Sequence, residues 1–339
     1  MSVEKLDALA QQIAGPFAFC GLAACCRGKR DFAIAHQSFL DVDRFRMFRV
    51  ASISKIVIGQ TLAQLCTKHR VAWDSDVSSV LGWPLCNPEF PDIPISIGAL
   101  AAHTAGLDDQ KGYLLPPDQT LQAFFTSNRF GARPSGTYFD YANLGYLVLA
   151  EVIEKLSGTD LPQACSHMIP DDGGFNWIGV PDTRRADALP TFRHDGDGFA
   201  AQIDDPAVMP PPAVSVGRFS PQGGLRLSLD GMLTLAEALR DADKTVLWRD
   251  AQTAGNDLGG VFEQYGAGLQ IFQNPAFYPR PLIGHFGNAY GFKGGVWYDA
   301  KADLAFAYAL NGLELGDEDD SFSETERKIF ASFAMMGDE

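Results

Sequence analysis

A serine and a lysine whose types and spacing suit acyl transfer occur at Ser52 and Lys55. Residues three apart are neighbours on one face of a helix, so the amine could take the proton from the serine hydroxyl. A lysine acts in this way when burial or a nearby cation lowers its pKa. The spacing alone is weak, because a serine at a helix start and an exposed lysine produce it as well. The two residues are therefore candidates for a nucleophile and its base.

Two further short motifs lie downstream. Tyr141 and Asn143 stand just before a predicted helix, and His285 and Gly287 lie on a predicted strand that continues to Asn288. A phenol, an amide and an imidazole are groups that transfer protons or hold a substrate. Each has a structural alternative: Tyr141 as a core tyrosine, Asn143 as a helix cap, and His285 as a buried strand residue.

The helices and strands predicted around these motifs indicate a sheet built from both ends of the chain. Helical periodicity covers residues 3–14, and two strands with a turn between them cover 18–27 and 31–40. A helix that Ser52 opens is predicted to run to about His69. Near the other end of the chain, turn residues separate four predicted strands: 265–273, 282–287, 293–299 and 303–310. A final amphipathic helix is predicted over 322–335.

This order of elements predicts an α+β fold with two domains. An antiparallel sheet flanked by N- and C-terminal helices would comprise residues 1–60 and 225–339, and a mainly helical domain, residues 61–224, would be inserted in it. A nucleophile at the start of the insert would lie at the junction of the two domains, where pockets commonly form. Further helices are predicted near 95–102, 119–127, 143–156 and 229–240.

The motifs, in this order, resemble those of the serine beta-lactamase and penicillin-binding-protein superfamily, and most of all its class C-related branch of esterases, D-aminopeptidases and DD-peptidases. That family carries S-x-x-K, then Y-x-N, then K-T-G or H-x-G. Three more stretches are similar to family sequences: residues 100–107, residues 223–225 with Asp230, and residues 265–269. The resemblance extends from about residue 20 to residue 312 and implies a beta-lactamase-like fold.

What the resemblance implies for catalysis is an acyl-enzyme formed on Ser52. Lys55 and Tyr141 would be the proton-transfer pair, and which of them removes the serine proton is left open. The backbone N–H groups of Ser52 and Asn288 would form the oxyanion hole. Asn143 would hydrogen-bond the amide of the substrate or the amine of Lys55.

The third motif departs from the pattern of penicillin-recognising members. Those members have a threonine between the cation and the glycine, and the two groups grip the carboxylate of the substrate. Here Phe286 stands between His285 and Gly287, and strand alternation indicates that its ring faces the core. Imidazole is also mostly neutral near pH 7. Strong beta-lactamase activity is therefore not expected.

The resulting prediction is a serine hydrolase, with esters of small or hydrophobic acyl groups as preferred substrates. A D-amino-acid amidase or peptidase is the alternative, with Asp108 or Asp109 as the acid that a cationic substrate would require. Weak beta-lactamase activity and a catalytically silent binding protein of the same fold are further alternatives. Lys293 and Arg226 are candidates to recruit an anion. No cofactor or metal is expected, since no metal-ligand motif appears.

Composition limits the remaining possibilities. The chain has 339 residues, 46% apolar and 20% charged, as globular proteins do. Its net charge of −15 makes a nucleic-acid partner unexpected. Neither a secretory leader nor an apolar run of membrane-spanning length is visible. We therefore expect a cytoplasmic protein without a membrane partner, which argues against a cell-wall DD-peptidase. Oligomeric state is left open.

Overall fold

The structure of the protein is a computed structural model that describes most of the chain. The described residues are 3–116, 119–125, 129–168, 188–194, 196, 198–203, 220–249, 254–314 and 321–338. The predicted helix near 119–127 lies partly outside these ranges. None of the helices in the described ranges is long and apolar enough to cross a membrane.

Strands occupy both ends of the chain and several short stretches between them. In chain order they are β1 (Phe19–Cys26), β2 (Lys29–His36), β3 (Phe48–Arg49), β4 (Thr191–His194), β5 (Phe199–Ile203), β6 (Arg226–Leu227), β7 (Val246–Arg249), β8 (Gln264–Gly266), β9 (Gln270–Phe272), β10 (Leu282–Ala289), β11 (Phe292–Asp299), β12 (Leu304–Asn311) and β13 (Leu313–Glu314).

Helices precede, separate and follow these strands. They are α1 (Val3–Ile13), α2 (Ser54–His69), α3 (Ser78–Leu81), α4 (Ile97–Ala101), α5 (Leu121–Phe124), α6 (Leu144–Ser157), α7 (Leu161–Cys165), α8 (Leu229–Ala238) and α9 (Glu324–Asp338). A one-turn 3-10 helix, Ala51–Ile53, leads directly into α2.

Both ends of the chain contribute to one sheet of eight strands in the order β2-β1-β12-β11-β10-β9-β8-β7. Each neighbouring pair is antiparallel. The N-terminal hairpin β1–β2 joins the C-terminal strands through β12, where Phe19 pairs with Asn311 and Cys26 with Leu304. The predicted α+β class, with an antiparallel sheet built from both termini, is confirmed.

The two faces of the sheet pack against different helices. On β12, Ala305, Ala307 and Ala309 face one core, and Phe306 and Tyr308 face the other, because side chains alternate along a strand. The first core also contains apolar residues of α2, α6 and α8, and the second contains those of α1 and α9. The alanine face allows α8 to lie directly on strands β1, β12 and β11.

Two boundaries differ from the sequence-based prediction. The strand expected over 265–273 is two short strands, because the chain turns between β8 and β9 at Gly268, where φ is +75°. The helix expected to open at Ser52 begins at Ser54, since Ser52 lies in the 3-10 turn. The short strands β3–β7 and β13 were not anticipated. The division into two domains stays a prediction.

Candidate active site

Ser52 lies in the 3-10 turn Ala51–Ile53, and its position depends on an unusual backbone conformation. Ala51, directly before it, has φ +49°, in the left-handed region that residues other than glycine adopt rarely. Ser54 holds this turn. Its Oγ donates to the Ala51 carbonyl at 2.6 Å and accepts from the Leu225 N–H at 3.1 Å. The turn is therefore tied to the loop that precedes β6.

Two glycines allow other parts of the backbone to lie against this turn and against α2. A Cβ at Gly287 on β10 would lie 2.3 Å from the Val50 carbonyl oxygen. A Cβ at Gly268 would lie 2.0 Å from the carbonyl oxygen of Lys55. Real Cβ atoms do not come so close to backbone, so a larger residue at either position would displace the elements that carry Ser52 and Lys55.

The amine of Lys55 is fully buried and lies against three oxygen atoms. Its Nζ donates to Ser52 Oγ at 3.1 Å, to Asn143 Oδ1 at 2.8 Å and to the Gln222 carbonyl at 3.0 Å. An ammonium has three N–H donors, which these acceptors match. As a neutral amine, Lys55 would instead accept the hydrogen bond of the Ser52 hydroxyl along the same contact. The structure thus brings Ser52, Lys55 and Asn143 into direct contact, although 88 positions separate Lys55 from Asn143.

Two tyrosine rings flank the same amine. Lys55 Nζ lies 4.8 Å from the centroid of the Tyr141 ring and 5.3 Å from that of Tyr146. The electron-rich faces of such rings attract a cation within about 6 Å. The His103 ring lies 4.3 Å from the Tyr141 ring on another side. Tyr141 is therefore enclosed by the lysine and by a buried histidine.

The backbone of residues 141–144 is held from two directions. The Ala142 N–H donates to His103 Nδ1 at 3.1 Å. The Asp109 carboxylate accepts from the Asn143 N–H at 2.6 Å and from the Leu144 N–H at 3.0 Å, and so caps the start of α6. Burial, together with the charge of Lys55, holds the pKa of His103 well below its usual range, so its ring is neutral.

Asp108 and Asp109, the acids considered for a cationic substrate, have other partners. Burial raises the pKa of the Asp109 carboxyl, and its hydrogen bonds to the two backbone N–H groups of α6 oppose that shift. Asp108 accepts from the Gln110 N–H at 2.9 Å. Both side chains thus shape the loop and the helix start that carry Asn143.

His285 lies behind the wall of the site. It is fully buried, and its Nε2 lies 2.8 Å from the Tyr265 hydroxyl. Burial, and then the charge of Lys55, lower the pKa of His285 to about 3. Phe286 is buried in the second core beside Phe262 and Phe322, as strand alternation suggested, and it also borders the cavity described below. A substrate contact by His285 stays a prediction.

A cavity of about 290 Å³ opens beside Ser52. Four of the predicted site residues line it, Ser52, Tyr141, Asn143 and Asn288, and Phe286 borders it too. The remaining lining residues in the described ranges were not predicted from sequence as part of the site: Arg49, Ala51, Tyr113, Ser220, Gln222, Gly223, Ala289 and Tyr290.

One of the missed residues had a detectable sequence signal. Gln222 directly precedes the family-like stretch at residues 223–225, and its carbonyl accepts a hydrogen bond from Lys55.

Lys293 and Arg226, considered as anion-recruiting groups, are buried elsewhere: Lys293 lies 3.4 Å from the Glu326 carboxylate, and Arg226 donates to the Gly224 carbonyl. Within the described ranges, no group of three or more His, Cys, Asp or Glu could hold a metal ion.

Comparison with known proteins places this chain in a family. A family model described as Beta-lactamase matches residues 28–325. The chain belongs to the beta-lactamase family. The superfamily expected from the three motifs is thereby confirmed.

Proteins named as hydrolases are among those similar to this beta-lactamase family member. A D-aminopeptidase from Brucella anthropi is 26% identical over 219 residues, which cover 63% of this chain but only 39% of that relative. The D-amino acid amidase from Ochrobactrum anthropi SV3, solved with L-phenylalanine amide, is 18% identical, with a TM-score of 0.75 over 99% of this chain and 98% of that one.

A second solved structure shows the same fold. The beta-lactamase/D-alanine carboxypeptidase from Yersinia pestis, solved with citrate, is 13% identical, and the match covers 100% of both chains with a TM-score of 0.73. At such identities these structures establish the beta-lactamase-like fold. The names of the relatives agree with the predicted class of serine hydrolase and do not specifically favour an esterase.

Proposed function

We propose that this protein is a serine hydrolase that cleaves small acyl compounds through an acyl-enzyme on Ser52. One contact carries the proposal: the 3.1 Å hydrogen bond between Lys55 Nζ and Ser52 Oγ beside the cavity. A serine becomes an effective nucleophile when a base lies within hydrogen-bond reach. Membership of the beta-lactamase family and the hydrolase relatives support the same conclusion.

The proposed reaction has two stages. Ser52 Oγ attacks the acyl carbon, and its proton passes through the Lys55–Tyr141 pair to the leaving group as the bond between that group and the acyl carbon breaks. Water then attacks the acyl-enzyme, which releases the acid and restores the serine. The backbone N–H groups of Ser52 and Asn288 would bind the oxyanion that forms in each stage.

We infer that the bond cleaved is an amide. The relatives that support this inference are named as a D-aminopeptidase and a D-amino acid amidase. Ester hydrolysis, which the sequence favoured, is the second candidate. The aromatic side chains of Tyr113, Phe286 and Tyr290 on the cavity wall support it, because they suit a hydrophobic acyl group.

Turnover by the Ser52→Ala variant tests the nucleophile. Wild type and variant would be compared on D-alanine p-nitroanilide, p-nitrophenyl butyrate and nitrocefin. We expect the variant to lose at least about 10³-fold in kcat/KM on whichever substrate the wild type cleaves. Ser79→Ala, which alters an exposed serine with only a local hydrogen bond, is the matched control and should keep full activity.

A fluorophosphonate probe tests the same residue without a known substrate. Mass spectrometry should find the phosphonyl adduct on the peptide that contains Ser52, and the Ser52→Ala variant should show none. A folded wild-type protein that is not labelled at Ser52 and cleaves none of the substrates would contradict the proposal. It would favour the catalytically silent binding protein instead.

A further inference from the structure

The start of α6 connects the buried amine of Lys55 with a carboxylate. Lys55 Nζ donates to Asn143 Oδ1 at 2.8 Å, and Asn143 directly precedes α6. The backbone N–H of Asn143 donates to the Asp109 carboxylate at 2.6 Å, and that of Leu144 donates to it at 3.0 Å. A single residue, Asn143, therefore contacts the amine through its side chain and the acid through its backbone.

The charge of Asp109 acts on the amine as well as on the helix. The N–H groups at a helix start carry a partial positive charge, which disfavours an ammonium group beside them, and the Asp109 carboxylate offsets it. Burial raises the pKa of the Asp109 carboxyl, whereas its two N–H donors and the charge of Lys55 lower it. Such an interaction between two charges is mutual, so the carboxylate in turn favours the protonated form of Lys55.

Other titratable groups surround the same amine. They are Tyr141 before α6, Tyr146 on α6, His103 after α4, His285 on β10 and, behind them, Tyr265 on β8. Burial, and then the charge of Lys55, lower the pKa of both histidines, so their rings are neutral. Burial also raises the pKa of Tyr146 and of Tyr265, so these two phenols keep their protons. Within this set of described groups, Asp109 is the carboxylate.

We propose that Asp109 is a positioning residue for Lys55: its carboxylate fixes the backbone of Asn143, which the amine contacts, and its charge raises the proton affinity of that amine. The two effects have different origins, because a helix cap requires only an acceptor oxygen and the effect on protonation requires a charge. A proton-transfer group works best when its proton affinity matches the operating pH. The effect on turnover rests on the proposed function, but the effect on the proton affinity of Lys55 does not.

Titration of Lys55 itself tests the effect of the charge without a substrate. Protein that contains lysine labelled with carbon-13 at Cε would be titrated and followed by NMR, and the Lys55 signal is the one that Lys55→Met lacks. Asp109→Asn removes the charge and keeps an oxygen that can cap the helix. We expect the proton affinity of Lys55 to fall about tenfold in this variant, the lower end of the effect of a nearby opposite charge. The midpoint of its titration should therefore move to lower pH.

Further variants separate the charge from the cap. Asp109→Glu retains the charge and should keep most of the proton affinity, whereas Asp109→Ala should displace the midpoint as Asp109→Asn does and also lower the Tm. Asp160→Asn is the matched control: Asp160 caps α7 in the same way, accepts from the Gln163 N–H at 3.0 Å, and is exposed outside the cavity wall. It should leave the Lys55 midpoint unchanged. Circular dichroism and the Tm of each variant establish that it is folded.

Turnover supplies a second measurement, on whichever substrate the wild type cleaves. The limb of the pH profile of kcat/KM that Lys55 governs should move to lower pH in Asp109→Asn by the same factor as the NMR midpoint, which a loss of stability alone would not produce. If folded Asp109→Asn and Asp109→Ala keep the wild-type midpoint, or if Asp160→Asn displaces it equally, Asp109 does not set the proton affinity of Lys55. A displaced midpoint in a protein that cleaves none of the substrates would instead reject the proposed hydrolase alone.

Discussion

Lys55 and Lys293 are both buried, and the hydrogen-bond partners of Lys55 described above differ in charge from the carboxylate that lies beside Lys293. Lys55 donates to a hydroxyl, an amide and a backbone carbonyl, all neutral, at the edge of a cavity. Lys293 lies 3.4 Å from the carboxylate of Glu326 and donates to the Ser321 carbonyl at 2.9 Å, at the start of α9.

This difference distinguishes a lysine that can transfer protons in a reaction from one that stabilises the fold. A carboxylate partner binds an ammonium as an ion pair, and the pair here fastens α9 to the sheet. The Glu326 carboxylate also accepts from the Tyr308 hydroxyl and from the N–H and Oγ of Ser323. A hydroxyl partner beside a cavity can instead exchange a proton with the lysine while it reacts with a ligand.

Lys55→Met should produce the largest effect on activity. We expect kcat/KM to fall by about 10³-fold or more, because the variant removes a proton-transfer group and the hydrogen-bond donor that holds the Asn143 side chain. Steady-state kinetics on the substrate found with wild type would measure it. A variant that folds and keeps more than a tenth of the wild-type kcat/KM would show that Tyr141 alone can serve as the base.

Lys293→Met should act on stability and not on chemistry. We expect the free energy of unfolding to fall by about 3–5 kcal/mol, since Glu326 would remain as a buried charge without its cation. Urea denaturation followed by circular dichroism would measure it. The double variant Lys293→Met/Glu326→Leu should recover part of the loss. A greatly reduced kcat of the folded fraction of Lys293→Met would contradict the assignment of Lys55 to chemistry and of Lys293 to stability.

Because His285 is neutral in the folded protein, we expect a smaller effect, on the pH dependence of stability. Its pKa is about 3 in the folded protein and near 6.5 in an unfolded chain, so the unfolded state binds the extra proton between these values. Stability should therefore be complete above about pH 6.5 and fall as the pH drops toward 3. From pH 6.5 to pH 5 the contribution of this residue falls by about 2 kcal/mol.

Denaturation of wild type and His285→Gln at those two pH values would measure this contribution. The variant should lose about 2 kcal/mol less than wild type between them. His103, also neutral and buried, should produce a comparable trend in both proteins, which makes it an internal reference. Equal losses in the two proteins would indicate that His285 is accessible to protons in the folded state.

Sequence periodicity and spacing were sufficient to predict the sheet and the contact between the first pair of site residues. An antiparallel sheet built from both ends of the chain followed from the positions of the predicted strands, and the structure joins the two ends by pairing β1 with β12. The contact between Ser52 and Lys55 followed from their separation of three residues near a helix start. Such contacts depend on local geometry, which a short stretch of chain specifies by itself.

Contacts across long separations were decided by tertiary packing. Sequence could not show that His285 lies behind the cavity wall or that Arg49 lies on it, because the direction of a strand side chain depends on what covers each face of the sheet. The break between β8 and β9 includes Gly268, whose backbone lies against the carbonyl of Lys55, a contact between distant parts of the chain that sequence spacing does not reveal. The amino-acid sequence thus determined which groups are available for chemistry, and packing determined which of them reach the cavity.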